Sequence, residues 1–132
     1  MSRASFCGMI LLLLVGCTKD EDYVNVLREQ CAAWKEMADI LETVKDEASM
    51  AEAKKSLDQR SEKYAALSQK ARALPSPRPE AVKLMQEREF LVKDAIGRLQ
   101  KEVGRVSGLP GGPDFMKHFQ SNSQGLMTAV QP

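Results

Sequence analysis

Three cysteines and one histidine are the residues in this chain best suited to covalent, redox or metal chemistry, and their placement narrows what they can do. Cys7, Cys17 and Cys31 stand far apart, with no CxxC, CxxCH or Cys/His cluster. Zinc binding, haem attachment and thioredoxin-like exchange all need such spacing, so no metal and no cofactor is expected. His118 lies in Asp114-Phe115-Met116-Lys117-His118-Phe119, with Asp114 one helical turn away as a possible partner. No second histidine exists, and no nucleophile–base set accompanies this one, so an enzyme is not expected. The glycine-rich stretch Gly108-Leu109-Pro110-Gly111-Gly112-Pro113 lacks the Lys and Ser/Thr of a phosphate loop and reads as a helix breaker. Net charge is +1; Arg3 is the one charged residue among positions 1–16, leaving 18 basic against 18 acidic side chains beyond it. Without a basic excess to neutralise phosphates, no nucleic-acid partner is expected.

One cysteine has a more specific setting. Arg3 is followed by an apolar stretch over residues 6–15, about the length of a signal-peptide h-region and well short of the ~20 residues of a spanning helix. Leu14-Val15-Gly16-Cys17 then leads directly into Thr18-Lys19-Asp20-Glu21-Asp22. This resembles the lipobox of bacterial lipoproteins: an aliphatic residue, a small or β-branched one, Gly or Ala, then Cys. The resemblance implies a diacylglyceryl group on the Cys17 thiol, cleavage by signal peptidase II between Gly16 and Cys17, and acylation of the new amino end. Cys7 would be lost with the signal peptide and Cys31 left unpaired. Two or three acyl chains anchor stably, each buried CH₂ contributing ~0.8 kcal/mol. By the same resemblance the domain faces the periplasm, and Thr18 rather than Asp after the cysteine favours the outer membrane.

Positioning falls to helices. After a tether over residues 17–22, apolar or small residues recur at Val24, Leu27, Cys31, Trp34, Ala38 and Leu41, alternating spacings of three and four. This predicts a helix over about 23–45. Ser49 and Glu52 fit a capping box that would open a second helix over 50–74, with stripe residues Met50, Ala53, Leu57, Tyr64, Leu67, Ala71 and Leu74, and Arg60 as a polar exception. Pro75-Ser76-Pro77-Arg78-Pro79 breaks the chain, because three prolines remove donors and fix φ. A third helix over 79–107 carries Val82, Met85, Val92, Ile96, Leu99, Val103 and Val106, with Glu89 the exception. Residues 108–132 are expected to hold the Gly/Pro break, a short helical turn near 113–120 in which Phe115, Met116 and Phe119 cap the bundle, and a flexible tail.

The expected fold is therefore all-α, an antiparallel three-helix bundle of coiled-coil type over 23–107. Cys31, Trp34 and Tyr64 take core positions in it. The segments Ala38-Asp39-Ile40-Leu41, Val44-Lys45-Asp46-Glu47-Ala48-Ser49, Ala53-Lys54, Leu57, Pro77 and Pro79-Glu80 resemble short helical lipoproteins of planctomycete-type bacteria, over about residues 38–106. That resemblance implies helical architecture and no activity. The expected function is a non-enzymatic, lipid-anchored module of the cell envelope that acts structurally or through protein contacts, including self-association. The alternative is a small-ligand or lipid carrier, with a pocket lined by Trp34, Leu57 and Ile96.

Overall fold

An acidic first turn opens the first helix, α1, which runs Asp20–Glu42 in the computed structural model; the structure describes residues 18–128. Asp20, Glu21 and Asp22 lie at the positive end of the helix dipole, and Asp22 accepts from the Lys19 backbone N–H at 2.8 Å. The helix begins earlier than the apolar stripe predicts, so Asp20–Asp22 belong to it and not to a tether. The proposed signal peptide, Leu14, Val15, Gly16 and Cys17 lie outside the described residues, as do residues 129–132 of the expected tail.

The second helix, α2, spans Glu47–Ala73, and its cap sits three residues before the expected one. Asp46 is the N-cap and accepts from the Ser49 backbone N–H at 2.8 Å, while the Asp46 N–H donates to Ser49 Oγ at 2.9 Å. Ser49 is thus the reciprocal partner rather than the cap, since Asp caps as well as Ser and the earlier start adds a turn. The bonds from Ser49 hold the Asp46 carboxyl below its usual range. Lys70 and Arg72 stand in the last turn, where cations are favoured, and the proline segment stops the helix.

The third segment departs further from expectation. Pro79 takes the first position of α3, Pro79–Gln86, as its missing N–H allows. The chain then leaves helical geometry at Arg88 (φ −111°, ψ 11°) and resumes as α4, Glu89–Ser107. A single helix over 79–107 is therefore corrected to two, though neither glycine nor proline stands at the break. The larger correction is at the carboxyl end. After a turn in which Gly111 adopts φ +77°, residues 112–128 form a full helix, α5 (Gly112–Thr128). Its Phe115, Met116, Phe119, Ser123 and Leu126 are buried. The short turn and the described part of the expected tail become an integral element, and among the described residues the bundle has four rods rather than three.

Cross-helix pairs fix the directions. Glu29 meets Lys70 and Glu36 meets Lys63, so α1 and α2 run oppositely. Asp20 meets Arg78, Lys35 meets Asp94 and Asp39 meets Arg98, so α3 and α4 run alongside α1 in its own direction. Asp58 meets His118, and Gly111 lies beside Met50, so α5 follows α2. Two helical hairpins thus lie side by side, α1 against α4 and α2 against α5. The proline link crosses between them, held where the Tyr23 hydroxyl donates to Pro75 O at 2.8 Å. Trp34, Met37, Leu41, Leu57, Tyr64, Leu99, Phe115 and Phe119 fill the shared core.

One long-range contact locks the far end. α1 has no basic residue in its last turn, and Arg105 of α4 supplies the missing cation, donating to the carbonyls of Leu41 and Val44 at 2.7 Å each. Its Nε also binds Glu102, which is almost wholly buried. Arg105→Ala should destabilise the fold by about 2 kcal/mol, because it removes two hydrogen bonds to main-chain carbonyls at the end of α1 and just beyond it, and leaves Glu102 without its cation. Urea denaturation would measure this; a midpoint equal to wild type would show the carbonyls content with water.

Candidate functional site

Cys31 occupies the core of α1, 6% exposed, and is a free thiol. Burial pushes its pKa up against the opposing pull of Lys35, so it stays protonated at neutral pH and is a poor nucleophile. The seam position read from the stripe is where the structure places it.

His118 does not meet Asp114, whose carboxylate lies 3.7 Å from Lys117. Its Nε2 instead lies 2.9 Å from Asp58 Oδ1 on α2 and 3.1 Å from Asn122 Nδ2 on its own helix. Asn122 Nδ2 also donates to Asp58 Oδ1 at 3.1 Å. The three side chains close a small polar clasp over the α2–α5 seam. Among the described residues no group of three or more His, Cys, Asp or Glu is arranged to hold a metal. Ser121 donates to the His118 carbonyl of its own helix, away from the imidazole. Fastening α5 to α2 is the chemistry this clasp performs. Asp58 carries no sequence signal for the role, since it lies sixty positions from His118.

Trp34 and Tyr64 lie in the core, about 1% exposed, and among the described residues neither the indole N–H nor the phenol hydroxyl has a partner at full hydrogen-bond geometry, the Glu36 carboxylate being the group that the Tyr64 hydroxyl faces. Burial first, and the Glu36 carboxylate second, raise the Tyr64 pKa far above the usual phenol value. Arg60, the polar exception in the α2 stripe, pairs with Glu36 of α1 and donates to Ser56 O. Glu36 also takes Lys63 at 2.9 Å. Lys35 and Glu36 therefore each bridge helices, Lys35 to Asp94 of α4 and Glu36 to Arg60 and Lys63 of α2.

Burial of Glu36 would raise its pKa, but hydrogen bonds from Lys63 and Arg60 outweigh it and the net direction is down. A carboxyl depressed in the fold stabilises above its unfolded pKa and loses that contribution as pH falls through the folded value. The stability gap between wild type and Glu36→Gln should thus be full at neutral pH and shrink below about pH 4. Urea midpoints across pH would show it; a gap that widens on acidification would contradict the assignment.

Surface concavities follow helix seams. A groove of about 430 Å³ between α1 and α2 is floored by Ala32, Ala33, Ala66 and Leu67 and rimmed by Glu29, Lys63 and Lys70. A cleft of about 380 Å³ between α2 and α5 is lined by Tyr64, Ser68, Gln69, Arg72, Asn122 and Leu126, among others. Neither is lined by Trp34, Leu57 or Ile96, the residues expected around a carrier's pocket. No described helix is long and apolar enough to cross a membrane.

The chain matches no family model, no curated protein and no solved structure.

Proposed function

We propose that this protein is a lipid-anchored helical module of the bacterial cell envelope, acting through protein contacts and not through catalysis. The observation that carries the reading is the junction of Cys17 with the fold. A lipobox-like Leu14-Val15-Gly16-Cys17 follows a short apolar segment, and α1 starts at Asp20, leaving Thr18 and Lys19 as the spacer. Two extended residues reach about 7 Å, so a lipid on Cys17 holds the bundle directly against the bilayer. The charge balance beyond residue 16 gives no electrostatic reason for membrane binding, which leaves the acyl chains to supply it. By the same reading the domain faces the periplasm, and Thr18 favours the outer membrane. The side chains that could do chemistry support a structural role: the Cys31 thiol is buried and protonated, and His118 is committed to the clasp.

Intact-mass measurement of protein extracted from membranes tests this, beside a Cys17→Ala variant. The expected mass is that of residues 17–132 plus acyl groups, with processing lost in the variant. An unmodified full-length mass for the wild-type protein would overturn the reading.

A further inference from the structure

The outer face of α4 carries an exposed aromatic and two exposed glycines that pack against nothing among the described residues. Phe90 is 66% exposed, the one large hydrophobic so exposed among the described residues. Gly97 and Gly104 follow at intervals of seven, which returns each to nearly the same line along the helix. A glycine in an exposed helix interior costs about 1 kcal/mol relative to alanine. Such a cost is usually offset by a close approach of another segment, yet no described residue lies within 4 Å of where a Cβ would stand at either position. Flanking the line are Lys93 and Asp94, of opposite sign and both exposed; within the chain they pair at the surface with Glu89 at 2.9 Å and Lys35 at 3.6 Å, solvated contacts that can exchange partners.

We propose that this face of α4 packs against the same face of a second copy of the chain, with the two helices parallel. A two-fold axis along the pair sets Phe90 against Phe90 at one end and brings the backbones together at Gly97 and Gly104. It also puts Asp94 on one flank beside the second copy's Lys93, and repeats that pairing on the other flank. The face is thus complementary to itself in charge, with the glycines leaving room for the backbones to meet. The parallel sense rests on the lipid-anchored reading: α4 runs in the direction of α1, so parallel copies present both Cys17 ends to one leaflet. A single helix face is smaller than a standard interface, and confinement of tethered copies to one membrane raises their effective concentration enough for it to form.

Oxidative cross-linking in membranes, using full-length chains with single added cysteines, tests the proposal. Phe90→Cys and Gly97→Cys should each give a band of twice the monomer mass. Gln59→Cys, exposed on α2, should give none, nor should the wild-type chain, whose Cys31 is buried and in which, on the anchored reading, Cys7 is cleaved off and the Cys17 thiol is acylated. Phe90→Ala added to Gly97→Cys should lower the dimer yield about tenfold, through loss of the aromatic pair. No dimer at either position overturns the proposal. So does linkage of Phe90→Cys only to a co-expressed Gly104→Cys chain, which marks an antiparallel pair, or a product of another mass, which marks a different partner. Intact mass of the same membrane samples separates this from the anchoring reading: Phe90→Cys chains that cross-link yet carry no acyl mass remove the anchor and leave the face in place.

Discussion

Gly112→Ala should destabilise the protein by about 3 kcal/mol or more, the largest effect expected of any single methyl group in the chain. A Cβ at this position would stand 2.1 Å from the Val106 carbonyl oxygen and 3.0 Å from that of Ser107. Both are main-chain atoms at the end of α4, so no rotamer change relieves the overlap and the α4–α5 turn itself must open. That turn is tightly closed: the Gly112 N–H donates to Leu109 O at 2.8 Å, and Gly111 beside it needs φ +77°. On a domain of ordinary stability the loss should lower Tm by more than about 10 °C. Gly97→Ala and Gly104→Ala are the matched controls. Both positions are open, so each should instead stabilise the isolated domain by about 0.5–1 kcal/mol through helix propensity. A Gly112→Ala melt that overlays wild type would mean that the turn is not packed as described.

Phe119→Ala should cost about 3–4 kcal/mol, as for other large aromatic truncations in a packed core. Phe119 is 2% exposed and lies in the same cluster as Leu57, Tyr64 and Leu99. A residue on a frayed tail would change stability by less than about 0.5 kcal/mol, so one measurement separates a docked α5 from a loose one. Gly125→Ala probes the same seam near its far end, where a Cβ would fall 2.4 Å from Ser68 Oγ and 2.9 Å from Ser68 Cβ. Its effect should be smaller than that of Gly112, because the obstacle is one short side chain rather than backbone. Trp34, the sole tryptophan and 1% exposed, gives the fluorescence signal for all of these titrations.

α5 also shows where sequence patterning stops being informative. Helices α1 and α2 were legible because their buried residues repeat at spacings of three and four over many turns. The stripe of α5 begins the same way at Phe115, Met116 and Phe119, but its next inward position is Ser123, followed by Gly125 and then Leu126. Serine and glycine read as tail residues, yet here they let α5 approach Ser68 of α2. Ser123 satisfies itself on the Phe119 carbonyl, 2.8 Å away. Without a recognisable stripe the fourth rod was invisible, and three amphipathic segments suggested three rods. The α2 cap was mislocated by competition between two good capping residues, Asp46 and Ser49, which in the fold serve each other. The partners of His118 and Arg105 were not legible at all. Asp58, Leu41 and Val44 come to them only through the packing of whole helices.

The clip at the foot of α1 bears on how the domain carries mechanical load. Tyr23 grips Pro75, and Asp20 grips Arg78, both within the first turn of the helix nearest Cys17. A pull entering through the amino end therefore does not simply peel α1 away from its terminus. It is shared at once with the middle of the chain, and through α3 and α2 with both hairpins. Tension at that end would have to shear these contacts together rather than unzip them one by one. A domain wired in this way moves as one stiff body when it is pulled from its amino end.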